Sequence, residues 1–330
     1  MTMRRIHLAH LPTPLFHSTA LDDLVGTELW VKLDDSNAGP ASGNKIRKLE
    51  YILPKALDEG ATHLITCGGE QSNHARATAL AGARLGLKTL LLLRTSDPNQ
   101  PPADTGNLLL NRMAGAEIQF ITPEQYQVRD RLMLEAQTEL GRAGSRAHVI
   151  PEGGSNGLGA LGWVEAMREV RRQLDLGLAR GISEFDAVVH ACGSGGTAAG
   201  CVLGAGVHRV AEIVIPMAVC DDGATFDERI RSIIEEARTL ETELTSQAEL
   251  RVLDHWKGPA YGVATEEQLR FIVDVARCSG LILDPVYTGK ALFGLYKLQP
   301  KPRRVLFLHT GGLPGLLAQC SELAAACSSR

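Results

Sequence analysis

Eight short apolar runs, separated by stretches with helical spacing, constrain this chain more than any other feature. The runs are Glu28–Lys32, His63–Cys67, Thr89–Leu93, Glu117–Ile121, His148–Ile150, Ala187–Ala191, Glu212–Ala218 and Arg304–His309. Several, such as T-L-L-L-L at 89–93, are continuous aliphatic runs rather than in/out alternations. That is the pattern of strands covered by helices on both faces. The intervening stretches 73–85 and 159–174 carry apolar residues on one helical face. Strand and helix in alternation predict an α/β fold built on doubly wound parallel sheets. At 330 residues the chain exceeds the usual size of one core, so one large or two medium domains are expected.

Glycine marks the breaks. The glycine-rich segment 151–162 reads either as a crossing between domains or as a loop with left-handed turns. Further breaks fall at 37–43 and 96–105. The charged stretch 228–249 reads as a solvent-facing helix without functional signal. A formal net charge of −4 lacks the basic excess of a nucleic-acid or membrane-surface binder. No apolar stretch reaches spanning length, and the first residues lack the apolar core of a signal peptide. The seven cysteines form no C-x-x-C pair, which predicts reduced, buried thiols in a cytoplasmic enzyme and no structural metal.

Two glycine turns point to ligands. Residues 187–200, A-V-V-H-A-C-G-S-G-G-T-A-A-G, read as a buried strand, a turn and a helix of small residues. Backbone N–H groups of Gly193, Ser194, Gly195, Gly196 and Thr197 then converge on one spot suited to a phosphate. The same residues through Ala198 also fit a dinucleotide fingerprint, with Asp221 or Asp222 as ribose acid. An NAD-dependent oxidoreductase is therefore a rival reading. The second turn, T-C-G-G-E-Q-S-N-H-A-R at 66–76, clusters Gln71, Ser72, Asn73 and His74 at a helix start. Ser72 or Asn73 suits the N-cap, and the cluster suits a substrate carboxylate. His74 by itself reads more readily as a helix-surface histidine.

Lys45 stands in S-G-N-K-I-R-K-L-E-Y at 42–51, ahead of the apolar stripe Ile46, Leu49 and Ile52. A desolvated lysine with a cation nearby (Arg47 or Lys48) has a lowered pKa and can form a Schiff base. With G-G-x-Q-S-N-H-x-R at 68–76, G-S-G-G-T at 193–197, D-P-V-Y-T-G-K at 284–290 and H-T-G-G at 309–312, this segment resembles one family. It is that of D-cysteine desulfhydrase and 1-aminocyclopropane-1-carboxylate (ACC) deaminase, pyridoxal-phosphate enzymes of the tryptophan-synthase-β fold type II, which also holds L-cysteate sulfo-lyases. The match runs in order over roughly residues 10–320. It implies a larger cofactor domain from 1–47 and 163–330, a smaller α/β domain from 48–162, and an active site in the cleft between them.

By that resemblance Lys45 is the Schiff-base lysine and catalytic base, and Lys48 a phosphate partner. Asn73 meets the pyridoxal 3-oxygen, while Gln71, Ser72 and His74 join it in receiving the substrate. Tyr261 and Tyr287 line the substrate side, either packing on the ring or giving a proton to a departing sulfur. Glu70 departs from the small or aliphatic residue expected there. ACC deaminases resemble D-P-V-Y-E-G-K where this chain has Thr288, with Thr310 a competing contact for the pyridine nitrogen. A neutral partner makes a shallower electron sink, adequate when the β-substituent leaves readily. Expected, then, is β-elimination from D-cysteine to pyruvate, ammonia and hydrogen sulfide, with L-cysteate and ACC as alternatives. The implied assembly is a homodimer.

Overall fold

The computed structural model describes residues 3–328. Its ten strands are β1 (Leu15–His17), β2 (Glu28–Leu33), β3 (His63–Gly69), β4 (Lys88–Arg94) and β5 (Glu117–Ile121), followed by β6 (Ala147–Val149), β7 (Phe185–Cys192), β8 (Ala211–Ala218), β9 (Glu249–Leu250) and β10 (Arg304–His309). They form a six-stranded sheet, ordered β1-β2-β10-β7-β8-β9, and a four-stranded sheet, ordered β5-β4-β3-β6. All eight expected strands form. β1 and β9 are additional, at three and two residues. β1 is also the exception to parallel pairing, lying antiparallel on β2 with Leu15 opposite Lys32.

Burial follows the two-sided pattern of the runs. On one face of the larger sheet, Val188, Leu306 and Leu308 pack with Trp163, Val202 and Ile230 from helices Gly157–Asp175, Gly196–His208 and Gly223–Leu240. On the other, Val189, Ile215 and Phe307 pack with Phe271 and Leu292 from helices Glu266–Ser279 and Thr288–Lys297. In the smaller sheet, the leucines of β4 are buried from Leu90 to Leu93.

Helix Asn44–Asp58 (the lysine helix) joins the two units. Its stripe of Ile46, Leu49, Ile52 and Leu53 packs with Leu64, Ala77 and Ile150 of the smaller unit. The expected boundary at 47/48 therefore falls inside one continuous helix. From its other side Arg47 enters a buried ionic cluster. The guanidinium meets Asp34 at 2.5 and 2.9 Å and Glu169 at 3.1 Å. Lys32 closes the cluster on Glu169 at 2.5 Å, on the Thr13 carbonyl at 2.6 Å and on Gln173 at 2.7 Å. Burial by itself would raise the Glu169 pKa, but Arg47 and Lys32 outweigh it and bring it down to about 2. Asp34 and Glu169 likewise hold Arg47 charged against the cost of burial.

Two expectations are corrected. Stretch 228–249 is not one solvated helix: helix Gly223–Leu240 is amphipathic, burying Phe226, Ile230, Ile233, Ile234 and Ala237. Among the cysteines, Cys67, Cys192 and Cys201 are buried, whereas Cys278, Cys320 and Cys327 are exposed; the last two lie on a terminal helix, Cys320–Ser328, that buries only Leu323 among its described residues. Segment 151–162 carries both features expected of it: Gly153 and Gly154 take left-handed turns, and the chain passes here from the smaller sheet to the larger. It leads from β6 through a short 3-10 turn (Glu152–Gly154) into helix Gly157–Asp175 on the larger sheet.

Replacing Arg47 by Met removes the cation from two buried carboxylates. A loss of about 3–5 kcal/mol in unfolding free energy is expected from urea titration at neutral pH. The Glu169 contribution is fully present above the ordinary carboxylate pKa and disappears as pH falls through about 2, so the mutational difference shrinks in acid.

Candidate active site

Parallel α/β sheets bind ligands at the carboxyl ends of their strands. Here the carboxyl ends of β3, β4, β7 and β8 bound one cavity of about 420 Å3. Lys45, Ser72, Asn73, His74, Gly193, Ser194, Gly195, Thr197, Tyr261, Tyr287 and Thr310 all line it. Residues scattered over most of the sequence are thus brought together.

Lys45 opens the lysine helix, and two glycines let it sit there. Gly43 has φ +125°, and a Cβ on it would stand 2.8 Å from the Thr310 carbonyl oxygen. Gly153 has φ +68°, and its Cβ would fall 3.3 Å from the Lys45 ammonium nitrogen. Any side chain at either place collides or strains the backbone. Burial lowers the Lys45 pKa to about 8, against an opposing pull from Glu152. Desolvation does this, not the adjacent Arg47, whose charge is turned away into the ionic cluster.

The phosphate cradle lies at the start of helix Gly196–His208. Thr197 and Ala198 N–H groups have no protein acceptor among the described residues. Gly196 N–H is already taken by Ser155 Oγ at 3.1 Å, so it does not donate into the cavity. Lys48 supports the turn from behind, donating to the Gly153 carbonyl and to Ser155 Oγ, each at 3.1 Å. Ser155 in turn meets Ser194 at 2.8 Å. Burial first, and then the Lys45 charge, hold Lys48 well below its ordinary pKa, and a phosphate dianion is the partner that would restore its charge.

The carboxylate cradle lies at the start of helix Asn73–Arg84. Ser72 is its N-cap, accepting from Ala75 N–H at 3.1 Å, which leaves the hydroxyl hydrogen to donate. Asn73 and His74 N–H groups have no acceptor among the described residues. Asn73 accepts from Asn107 at 3.0 Å, fixing its carbonyl and turning its amide N–H outward. His74 is no surface histidine: it is 3% exposed and bonded to Thr66 at 2.9 Å. Burial and the two lysines hold it neutral. His74 Nδ1 and, at the cavity wall, His190 Nε2 are buried with no partner among the described residues.

Two expected contacts belong elsewhere. Thr288 is fully buried outside the cavity lining; its hydroxyl donates to Asp284 at 2.7 Å and accepts from Asp284 N–H at 2.9 Å. Thr310 is the threonine in the lining. Gln71 faces away as well, accepting from Asn107 N–H at 2.8 Å and donating to the Thr105 carbonyl at 3.1 Å. It lines a second cavity of about 300 Å3, as does Glu70.

Several further groups line the cavity, some from the motifs and some from outside any motif. Asn44 donates to Thr197 at 3.0 Å. Glu152 accepts from Tyr126 at 2.6 Å and pairs with Arg129 at 3.0 Å. Arg229 reaches Asp221 at 3.4 Å, so one charge of the supposedly silent helix does face the cleft. Arg94 closes β4 and also lines the cavity. Tyr261 and Tyr287 meet edge to face with hydroxyls 2.5 Å apart. Tyr287 comes within 3.3 Å of a Cβ placed on Gly193, and Tyr261 within 3.5 Å of one placed on Gly69. Glycine at both positions leaves a flat slot beside the tyrosines. A phosphorylated pyridine fits these parts: an N–H cradle, a slot, and a desolvated amine. The acids of the rival dinucleotide reading are engaged otherwise, Asp221 with Arg229 and Asp222 as cap of Thr225.

Comparison with known proteins agrees. A family described as "Pyridoxal-phosphate dependent enzyme" matches residues 6–311. A bifunctional D-cysteine desulfhydrase/ACC deaminase, mitochondrial, of Arabidopsis thaliana is 41% identical, covering 96% of this chain and 80% of that protein. A putative ACC deaminase of Thermotoga maritima is 40% identical over 97% and 99% of the two chains. The crystal structure of an ACC deaminase homologue superposes with TM-score 0.86 at 34% identity, covering 98% and 97%. A fungal L-serine ammonia-lyase from Rhizomucor miehei, 15% identical, shares the fold with TM-score 0.63 over 92% and 94%. With the motifs, the cleft and these relatives in agreement, the chain belongs to the pyridoxal-phosphate-dependent enzymes of the D-cysteine desulfhydrase and ACC deaminase family.

Proposed function

We propose that this enzyme eliminates the β-substituent of a sulfur-bearing amino acid, D-cysteine first, to give pyruvate, ammonia and hydrogen sulfide. The observation that carries the reading is the state of the carboxylates around the cleft. Glu152 is held by Tyr126 and Arg129, Asp221 by Arg229, and Asp222 by the Thr225 N–H. Asp284, behind Tyr287, accepts from the N–H groups of Val286, Tyr287 and Thr288 and from the Thr288 hydroxyl. None of the four is free to hold a pyridine nitrogen protonated. The neutral Thr310 is left at that wall, in place of the Thr288 of the sequence argument.

When bound, pyridoxal phosphate supplies a Schiff base and an electron sink. The remaining work falls to the chain. Thr197 and Ala198 N–H groups with Lys48 receive the phosphate, and Asn73 the ring oxygen. Ser72 and the free N–H groups of Asn73 and His74 orient the substrate carboxylate. Lys45, with a pKa of about 8, is the base that would take the α-proton. A shallow sink suits a good leaving group such as thiolate, and disfavours opening a cyclopropane ring. ACC deamination and L-cysteate desulfonation are the other reactions at issue.

We also place the enzyme in the cytoplasm as a homodimer. All seven cysteines are free, which suits a reducing compartment. No helix among the described residues is long and apolar enough to cross a membrane. Leu109 and Met113 of helix Gly106–Met113, and Leu313 and Leu317 of the neighbouring helix Leu313–Ala318, are exposed apolar side chains; together they offer a surface for a second copy.

Release of 2-oxo acid (pyruvate, or 2-oxobutyrate from ACC) should be highest on D-cysteine among D-cysteine, L-cysteine, L-cysteate, β-chloro-D-alanine and ACC; turnover of ACC alone would contradict the proposal. In cofactor-free protein, the rate of Schiff-base formation with added pyridoxal phosphate should rise with pH through about 8, because only the neutral amine adds. A rise delayed to the ordinary lysine range would show that Lys45 is not desolvated as described.

A further inference from the structure

Three guanidinium groups line the main cavity, and two are neutralised, Arg129 by Glu152 and Arg229 by Asp221. The third, Arg94, has no ion pair or hydrogen-bond partner among the described residues. It is half-buried at the carboxyl end of β4, opposite Gly69 in the sheet register. Its guanidinium carbon lies 4.9 Å from the Tyr126 ring centroid and 5.5 Å from that of Tyr261. Such contacts hold the cation over two aromatic rings and leave its N–H donors without a protein acceptor among the described residues. The guanidinium fork matches a carboxylate or sulfonate in two parallel bonds.

We propose that Arg94 receives the end of the substrate's side chain, so that the preferred substrates are amino acids with a short side chain carrying a sulfonate, or a thiol that leaves as hydrosulfide, while a side-chain carboxylate binds there without turnover. This rests on the lyase reading and names its substrate class. The α-carboxylate already has its cradle at Ser72, Asn73 and His74, so a second, cationic receptor in the same cleft calls for a second anion. Arg94 also stands where the main cavity meets the second one, sharing Gly69, Asn73, Tyr261 and Tyr287 with both walls. There is thus room beyond the β-carbon. Glu70 lines only the second cavity, which keeps an anion close to Arg94 and limits side-chain length.

Arg94 also changes how the leaving group departs. Lys45 takes the α-proton, the Cβ–S bond breaks, and its electron pair leaves on sulfur beside the guanidinium, as hydrosulfide from a neutral thiol or as sulfite from a sulfonate. No acid is required. Tyr261, pushed up to about 12 chiefly by burial, is a poor proton donor to a thiolate but remains a hydrogen-bond donor. Negative charge that grows on sulfur as the bond breaks is then stabilised by a fixed cation in a partly desolvated site.

The test uses the holoenzyme and Arg94→Gln and Arg94→Lys variants. The ratio of kcat/KM for cysteate to that for β-chloroalanine, in whichever enantiomer turns over, should fall at least thirtyfold in Arg94→Gln and recover in part in Arg94→Lys. A ratio within threefold of wild type in Arg94→Gln, even with both rates reduced, overturns the proposal and leaves Arg94 a scaffold or α-carboxylate contact. Calorimetric titration with aspartate against asparagine reads binding without turnover. Wild type should prefer aspartate at least tenfold and Arg94→Gln should lose that preference; no preference in wild type overturns the assignment. If wild type releases no pyruvate from any compound, the lyase reading fails, and the calorimetric comparison still decides the role of Arg94.

Discussion

The buried meeting of Arg47 with Asp34 and Glu169 is the constraint on which the site depends. Two carboxylates from the larger unit demand a cation once they leave water, and the cation arrives on the lysine helix, whose apolar stripe is already fixed to the smaller sheet. The helix is thereby held from both sides. Lys45 sits two residues before that anchor, on the first turn, where rotation of the helix would carry its amine out of the cleft. A network that looks purely structural therefore sets the position of the reactive nitrogen.

The same segment shows how one chain gives three neighbouring cations three chemistries. Arg47 is surrounded by carboxylates and stays charged. Lys48 faces a carbonyl and a hydroxyl, so burial and Lys45 pull its pKa down and a nearby anion such as phosphate would raise it. Lys45 faces the cavity with Glu152 as a partial counterweight, and its pKa settles near 8, where a useful fraction is neutral. Burial pulls all three down, and only at Arg47 do the neighbouring carboxylates reverse the outcome. Arg94 completes the series, a cation held by aromatic faces and left without a counter-ion in the protein.

Much of this was legible in the sequence, for physical reasons. Buried parallel strands read as aliphatic runs, so eight of the ten strands were visible, while β1, an antiparallel edge strand, and the two-residue β9 were not. Glycine turns before helices marked both anion cradles, because few other residues tolerate that geometry. Thr288 misled. Its place in D-P-V-Y-T-G-K suggested a ring contact, yet Asp284 four residues earlier engages its hydroxyl, and that local bond competes with any role toward a ligand. Gln71 was drawn away in the same manner by Asn107. Arg94, Tyr126, Arg129 and Glu152 were missed because they meet only through folding and lie in no motif. For Arg94 a signal existed: a charge directly after four consecutive leucines ends the strand at its carboxyl edge, where parallel sheets bind ligands.

At the centre of the account is Lys45 as the residue that carries the cofactor. Borohydride reduction of the holoenzyme, followed by proteolysis and mass spectrometry, tests it most directly. The pyridoxyl phosphate mass should appear on the peptide containing Lys45, and Lys45→Ala should show no such modification at any lysine. A reduced adduct on Lys48 or Lys290 in the wild-type protein, or an unmodified Lys45 in yellow, reducible enzyme, would contradict it.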